Sequence, residues 1–210
     1  MTDSPLLLMG LGLAAGLLPF LMVMLTSFVK MAVVLAIVRS ALGTPQIPPN
    51  SVVTGLALVL SLVVMSPVIE EVGQELSARA SVFEEGTATE MIGALKNAAL
   101  PVERFLRRHT QPEHMRQLQT WIGEQEAAQD VSWRVLVPAF VVGQLHEAFR
   151  MGFAIFLPFL LLDMLVAGVL LSLGMHMLSP STVSLPFKLL LFALLDGWSL
   201  IGANLLGQYL

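Results

Sequence analysis

Four stretches of this chain, residues 4–29, 40–69, 164–187 and 197–210, contain no lysine, arginine, aspartate or glutamate. A helical membrane span needs about 20 predominantly apolar residues, so these stretches predict hydrophobic helices, arranged as two pairs. Composition agrees: 56% of residues are hydrophobic, 12% are charged and the mean hydropathy is +0.80, whereas about a quarter of the residues of a soluble domain are charged. The predicted fold class is all-α. Membrane-associated long helical hairpins at residues 1–69 and 135–210 flank a polar, amphipathic helical insert at residues 70–134.

A chain of 210 residues leaves room for a small helical membrane bundle and a modest insert, but not for a large soluble enzyme domain. The absence of cysteine excludes disulfides, thiolate metal sites and a cysteine nucleophile. The net charge of −4 is concentrated in the insert, where residues 70–134 carry seven basic and eleven acidic side chains, against four of each elsewhere. A nucleic-acid partner, which would call for a basic surface, is not expected. The amino terminus has Asp3 where a secretory signal would be basic, and the apolar run continues to Thr26 without a polar break. The first segment is therefore expected to be retained.

A first helix from about Pro5 to Val38 would be roughly 50 Å long, more than a hydrocarbon core of about 30 Å. Part of it must tilt or leave the lipid. Residues 26–50 place two lone cations, Lys30 and Arg39, in apolar sequence and end at Gly43, Pro45, Pro48 and Pro49, which stop a helix. Asn50 or Ser51 can cap the next, which turns acidic at Glu70, Glu71 and Glu75 after Pro67. In the insert, Thr87 and Glu90 have capping-box spacing. Met91, Ile92, Leu95, Val102, Phe105 and Leu106 follow with helical period, and Met115, Leu118, Trp121 and Ile122 mark a second, shorter helix. The carboxyl-terminal pair is expected to start near Val135, its first helical stretch running to about Met177 with interruptions at Pro138 and Pro158. A turn over residues 179–186 follows, with Pro186 in the first turn of the last helix. Lys30, Arg39 and Lys188 lie near the two turns, which favours both turns facing the cytoplasm, with the insert and both termini outward.

Isolated ionisable residues in apolar helices are expensive to bury and face a partner, a polar cavity or water. Glu147 and Arg150 stand i,i+3 on one face and suit a local or intersubunit ion pair. An equally simple reading makes them a polar helix end leaving the lipid. Asp163 and Asp196 raise the alternative of a stand-alone ion- or proton-coupled transporter, because two carboxylates brought together can share a proton. Their contexts lack the Gly-x-Gly-Asp pattern of an aspartyl intramembrane protease. Lys188 and Asp196 are roughly 12 Å apart along a helix, too far to pair there. His109 and His114, i,i+5 across Pro112, do not have the i,i+4 spacing of two zinc ligands. No phosphate-binding glycine loop or Gly-x-Ser-x-Gly elbow occurs. No enzyme activity, cofactor or metal is expected. Met175, His176 and Met177 precede the last turn; on spacing alone their methionines read as hydrophobic filler, with an adaptable seal as the sharper alternative.

Residues 26–50, Gly55 to Leu60, Met65 to Val68, Phe149 to Phe159, Asp163 and Ser184 to Trp198 together resemble the family of type III secretion export-gate subunits that includes SctR and flagellar FliP. The resemblance spans about Leu17 to Ile69 and Pro138 to Leu205, leaving the insert divergent. It leans toward injectisome members, because the chain is short and has no long cleavable leader. It implies a helical subunit that assembles as a pentamer, joins SctS and SctT, and contacts SctU and SctV. The assembly would form a helical ring or cone that conducts unfolded proteins across the bacterial inner membrane and extends to the periplasmic side. Apolar helix surface would then be covered by neighbouring subunits as well as by membrane lipid. By the same resemblance, Met175, His176 and Met177 map onto the family's methionine-rich pore constriction, with histidine where many flagellar relatives have a third methionine. Lys30, Arg39, Glu147, Arg150, Asp163, Lys188 and Asp196 would make polar or assembly contacts.

Overall fold

A computed structural model describes residues 23–44, 47–123 and 132–209, together with Gly12, Gly16 and Phe20. Among the described residues all regular structure is helical. In chain order the elements are α1 (Phe28–Leu42), α2 (Asn50–Ser77), α3 (Ala80–Glu85), α4 (Ala88–Arg108), α5 (Pro112–Ile122), α6 (Trp133–Ser172), α7 (Pro180–Leu194) and α8 (Gly197–Gly207). Most of the expected first helix before residue 23, and the polar stretch at residues 124–131, lie outside the described residues.

Local chemistry sets the ends of these helices. The expected continuous helix through Val38 is broken at residues 25–27. There the Thr26 hydroxyl donates to the Val23 carbonyl at 2.9 Å and accepts from the Phe28 N–H at 3.3 Å. A hydroxyl that bonds its own backbone offers the chain an alternative to the helical ladder, and the apolar pattern does not register it. The Thr87 and Glu90 capping box forms as expected, with the Glu90 carboxylate accepting from the Thr87 N–H at 2.8 Å. Hydrogen bonds from the Thr87 backbone and side chain hold this carboxyl below its ordinary range. α4 runs through Pro101, and α6 runs as one helix through Pro138 and Pro158, so none of these prolines ends its helix. Each proline removes only one donor from a long ladder.

The last helix also differs from expectation. It begins at Pro180 with Ser179 as N-cap, placing Pro186 in the helix interior, because a proline at the first helical position gives up only an N–H that would be orphaned anyway. It ends at Leu194, and α8 leaves at an angle of 59°. Asp196 forms the corner at φ +46°, a left-handed conformation uncommon outside glycine. Beside it, a Cβ on Gly197 would meet the Phe192 ring at 2.3–2.7 Å. Phe192 packs edge-on to Trp198 with centroids 5.2 Å apart, so the missing side chain at Gly197 is what lets the bend close on these rings.

The described chain falls into two compact units that each take part of α2 and part of α6. In the first, residues 65–77 of α2, α3, α4, α5 and residues 133–144 of α6 enclose a core containing Ala98, Phe105, Leu106, Leu136 and Phe140. Phe105 and Phe140 meet edge to face at 5.9 Å. Buried Gln144 donates to the His109 carbonyl at 3.1 Å, and Arg104 pairs with Glu71 at 2.6 Å on the surface. The second unit contains residues 30–64 and 145–210, with Met31, Val34, Leu35, Val38, Ala57 and Leu205 among its buried side chains. This second unit carries every candidate site residue.

Candidate functional site

Two ion pairs brace the second unit from within. Lys30 on α1 is 2% exposed, and its Nζ lies 2.5 Å from the Glu147 carboxylate on α6. The same ammonium sits 4.8 Å from the centroid of the Tyr209 ring, so a carboxylate and a π face together replace its hydration. Glu147 thus reaches across to α1, while Arg150, its expected partner one turn along, is exposed.

Lys188 on α7 is 4% exposed. Its Nζ donates to Asp163 Oδ2 on α6 at 2.6 Å and to the Ala41 carbonyl at 3.2 Å. Ala41 lies in the last turn of α1, where carbonyls have no helical partner and the helix dipole favours a cation. Ser184, one turn before Lys188, donates to the other Asp163 oxygen at 2.5 Å. One ammonium and one hydroxyl therefore join α1, α6 and α7. Arg39, also near the end of α1, donates to the Asn50 side chain at the start of α2.

The two carboxylates that a carrier would use stand in different surroundings. Both oxygens of Asp163 are held by Lys188 and Ser184, whereas Asp196 is exposed at the corner between α7 and α8. Sequence spacing did not reveal either pairing: the partners lie 117 and 25 residues apart. The usable signal was chemical, since each charge stood alone in apolar sequence and needed a partner.

The braced frame ends in an exposed turn. α6 closes with the Met175 N–H bonded to the Leu170 carbonyl at 2.9 Å and the Gly174 N–H bonded to Leu171 at 3.0 Å. Gly174 sits at φ +73°. This is the Schellman pattern, in which a left-handed glycine lets the chain leave the helix with its last carbonyls satisfied. Met175, His176 and Met177 follow at once, before Ser179 caps α7. Met177 is 98% exposed, so it does not serve as packing inside this chain, and Met175 is 44% exposed. The arrangement can present flexible, polarisable thioethers at the end of a rigid helical hairpin.

α1 and α6 are in close contact at Gly152, where an added Cβ would lie 2.4 Å from Ile37 Cδ1 and 3.1 Å from both its Cβ and Cγ2. Small residues permit such close helix contacts in membrane proteins. A β-branched chain on a helix has one strongly preferred rotamer, so Ile37 cannot simply swing aside. Gly152→Ala is expected to cost about 1–3 kcal/mol by overpacking, read from denaturant unfolding in mild detergent. Ile37→Ala in the same chain should recover most of it; a Gly152→Ala protein as stable as the parent would refute the tight contact.

Two described helices, α2 and α6, are long and apolar enough to cross a membrane, and the bent pair α7 and α8 makes a third if it counts as one span. At 1.5 Å per residue, α6 is about 60 Å long, roughly twice the hydrocarbon thickness. Large apolar side chains including Phe149, Phe153, Leu161 and Leu165 stand exposed along it. These features define an all-helical membrane protein with an outward apolar face. Residues 11–205 match the FliP family, and the chain belongs to that family. It is 43% identical to the flagellar biosynthetic protein FliP of Pectobacterium carotovorum subsp. carotovorum, over 90% of this chain and 72% of that one. It is 40% identical to virulence protein YscR of Salmonella typhimurium strain LT2, over 99% and 98% of the two chains. It is 41% identical to the Yop proteins translocation protein R of Yersinia pestis, over 92% and 91%.

Proposed function

We propose that this chain is a channel-forming subunit of a type III secretion export gate, conducting unfolded proteins across the bacterial inner membrane. It works as a structural conduit without catalysis. The observation that carries the reading is the exposed Met175, His176 and Met177 turn at the end of an ion-pair-braced hairpin, in a chain of the FliP family. Copies arranged as a pentamer would bring these turns together as a constriction around the substrate, with methionine flexible enough to close on chains of varied shape. The length of α6 supports assembly: apolar surface beyond one bilayer thickness needs cover from neighbouring subunits. Near full-length matching to the Salmonella and Yersinia relatives favours an injectisome, whose SctS, SctT, SctU and SctV subunits would be the partners.

Native mass spectrometry of the chain in mild detergent, alone and with its gene neighbours, tests the assembly. A pentamer that recruits small hydrophobic subunits is expected; a monomer or dimer under both conditions would overturn the reading. The constriction has a separate test. Met175→Ala with Met177→Ala should leave assembly intact and raise small-solute leakage through reconstituted complexes, since shortening the arms widens the gap they fill. Unchanged leakage through a well-formed complex would remove these residues from the seal.

A further inference from the structure

We propose that the turn after α6 binds a soft, closed-shell monovalent metal ion, Cu(I) in the cell and Ag(I) as its laboratory counterpart, through Met175, His176 and Met177. Two thioether sulfurs and an imidazole nitrogen in three consecutive residues form a neutral, soft donor set, and such ligands select Cu(I) over oxygen-seeking ions. No aspartate or glutamate occurs between residues 164 and 187, so the turn offers no anionic oxygen to a dication. Charge number sharpens the preference. The cost of bringing an ion close to apolar helix ends rises steeply with its charge, and neutral donors offset it far better for a single charge than for two.

The backbone makes the donors available. The Schellman closure at Gly174 takes Met175 off the helical path, and the His176 N–H bonds back to the Gly174 carbonyl at 3.1 Å. The three side chains are therefore free of the regular angular spacing that would spread them around a helix. Each methionine adds three rotatable bonds, enough for adjacent residues to converge on one ion of low coordination number. Within one chain the sulfurs are accessible, Met177 at 98% exposed and Met175 at 44%. All three ligands come from one chain, so this site stands independently of the conduit reading.

The test uses the full-length chain in mild detergent with silver nitrate in chloride-free buffer. Wild type is expected to retain one Ag(I) per chain after desalting, unaffected by excess Zn(II). Met175→Leu with Met177→Leu should lose it, the swap being close to volume-conserving and compatible with folding. His176→Gln removes a direct ligand and should weaken binding by at least the roughly tenfold that loss of a mere outer-shell partner costs. A footprint on the wild type guards against a variant that misfolds. Bound Ag(I) should slow peroxide conversion of Met175 and Met177 to sulfoxide, read by peptide mass spectrometry, while leaving Met164, 64% exposed, at its metal-free rate. Equal silver uptake by wild type and the double leucine variant, or equal protection of Met164 and Met177, would overturn the proposal.

Discussion

Lys188→Met, with Asp163 left in place, is expected to destabilise the protein by about 3–5 kcal/mol, the cost of leaving one member of a buried ion pair without its partner. The substitution keeps the apolar stem and removes three interactions at once. Asp163, on α6, would retain the Ser184 hydroxyl but lose the cation 2.6 Å away. The Ala41 carbonyl at the end of α1 would lose its ammonium donor. The fold would lose an ammonium that joins α1, α6 and α7. Adding Asp163→Asn should recover part of the loss, because a buried pair and a neutral replacement of similar volume often have comparable stability. Recovery should stop about 1–3 kcal/mol short, the cost of an unsatisfied buried carbonyl. Equilibrium unfolding in mild detergent measures all three proteins. A Lys188→Met protein within about 0.5 kcal/mol of wild type, the range of an ordinary surface substitution, would sink the account.

The same pair shows what could be read from the residues and what could not. That Lys30, Glu147, Asp163 and Lys188 need partners follows from their isolation in apolar sequence, since lipid and packed helices offer no water to a charge. Who the partners are depends on which helix faces cross, and periodicity carries no such information. Local spacing pointed Glu147 toward Arg150, but a buried ammonium across the helix contact gains more from the carboxylate than an exposed guanidinium does. The helix count near the carboxyl terminus failed for a related reason. Pro186 looked like a helix start, yet Ser179 and Pro180 offer the same start six residues earlier and the ladder tolerates Pro186 afterwards. The bend at Asp196 rests on Gly197 fitting against Phe192, a contact of shape that hydropathy cannot express.

For the turn itself, composition and spacing favour filler at Met175 and Met177 over an adaptable seal. The constriction came from family resemblance, while the structure adds the exposure and the Gly174 closure that place these side chains outside the core. The long apolar helices were legible because their signal is repeated over tens of residues. The break at residues 25–27 was not, because one threonine hydroxyl decides it.

Lys30 gives the second large effect, and here a double-mutant cycle can separate the pair from its surroundings. Lys30 is 2% exposed and Glu147 24%, so Lys30→Met should again cost about 3–5 kcal/mol by stranding a partly buried carboxylate. Glu147→Gln strands the ammonium instead and should cost a similar amount, softened by the Tyr209 face. With both changes together the loss should be smaller than the sum of the two, leaving a coupling of about 0.5–3 kcal/mol. Tyr209→Leu isolates the third member. It preserves apolar bulk and removes the ring beneath the cation, at an expected cost of about 2 kcal/mol for a desolvated cation–π contact, and that cost should vanish when Lys30 is already methionine. Assembly supplies an independent readout. Given the proposed assembly, native mass spectrometry should find fewer complete oligomers for Lys30→Met and recovery in the Lys30→Met, Glu147→Gln double variant, because a neutral interior avoids a stranded charge. Additive costs in the cycle, or a Tyr209→Leu penalty unchanged by Lys30→Met, would mean that the three residues are neighbours without energetic coupling, and that the hairpin is braced elsewhere.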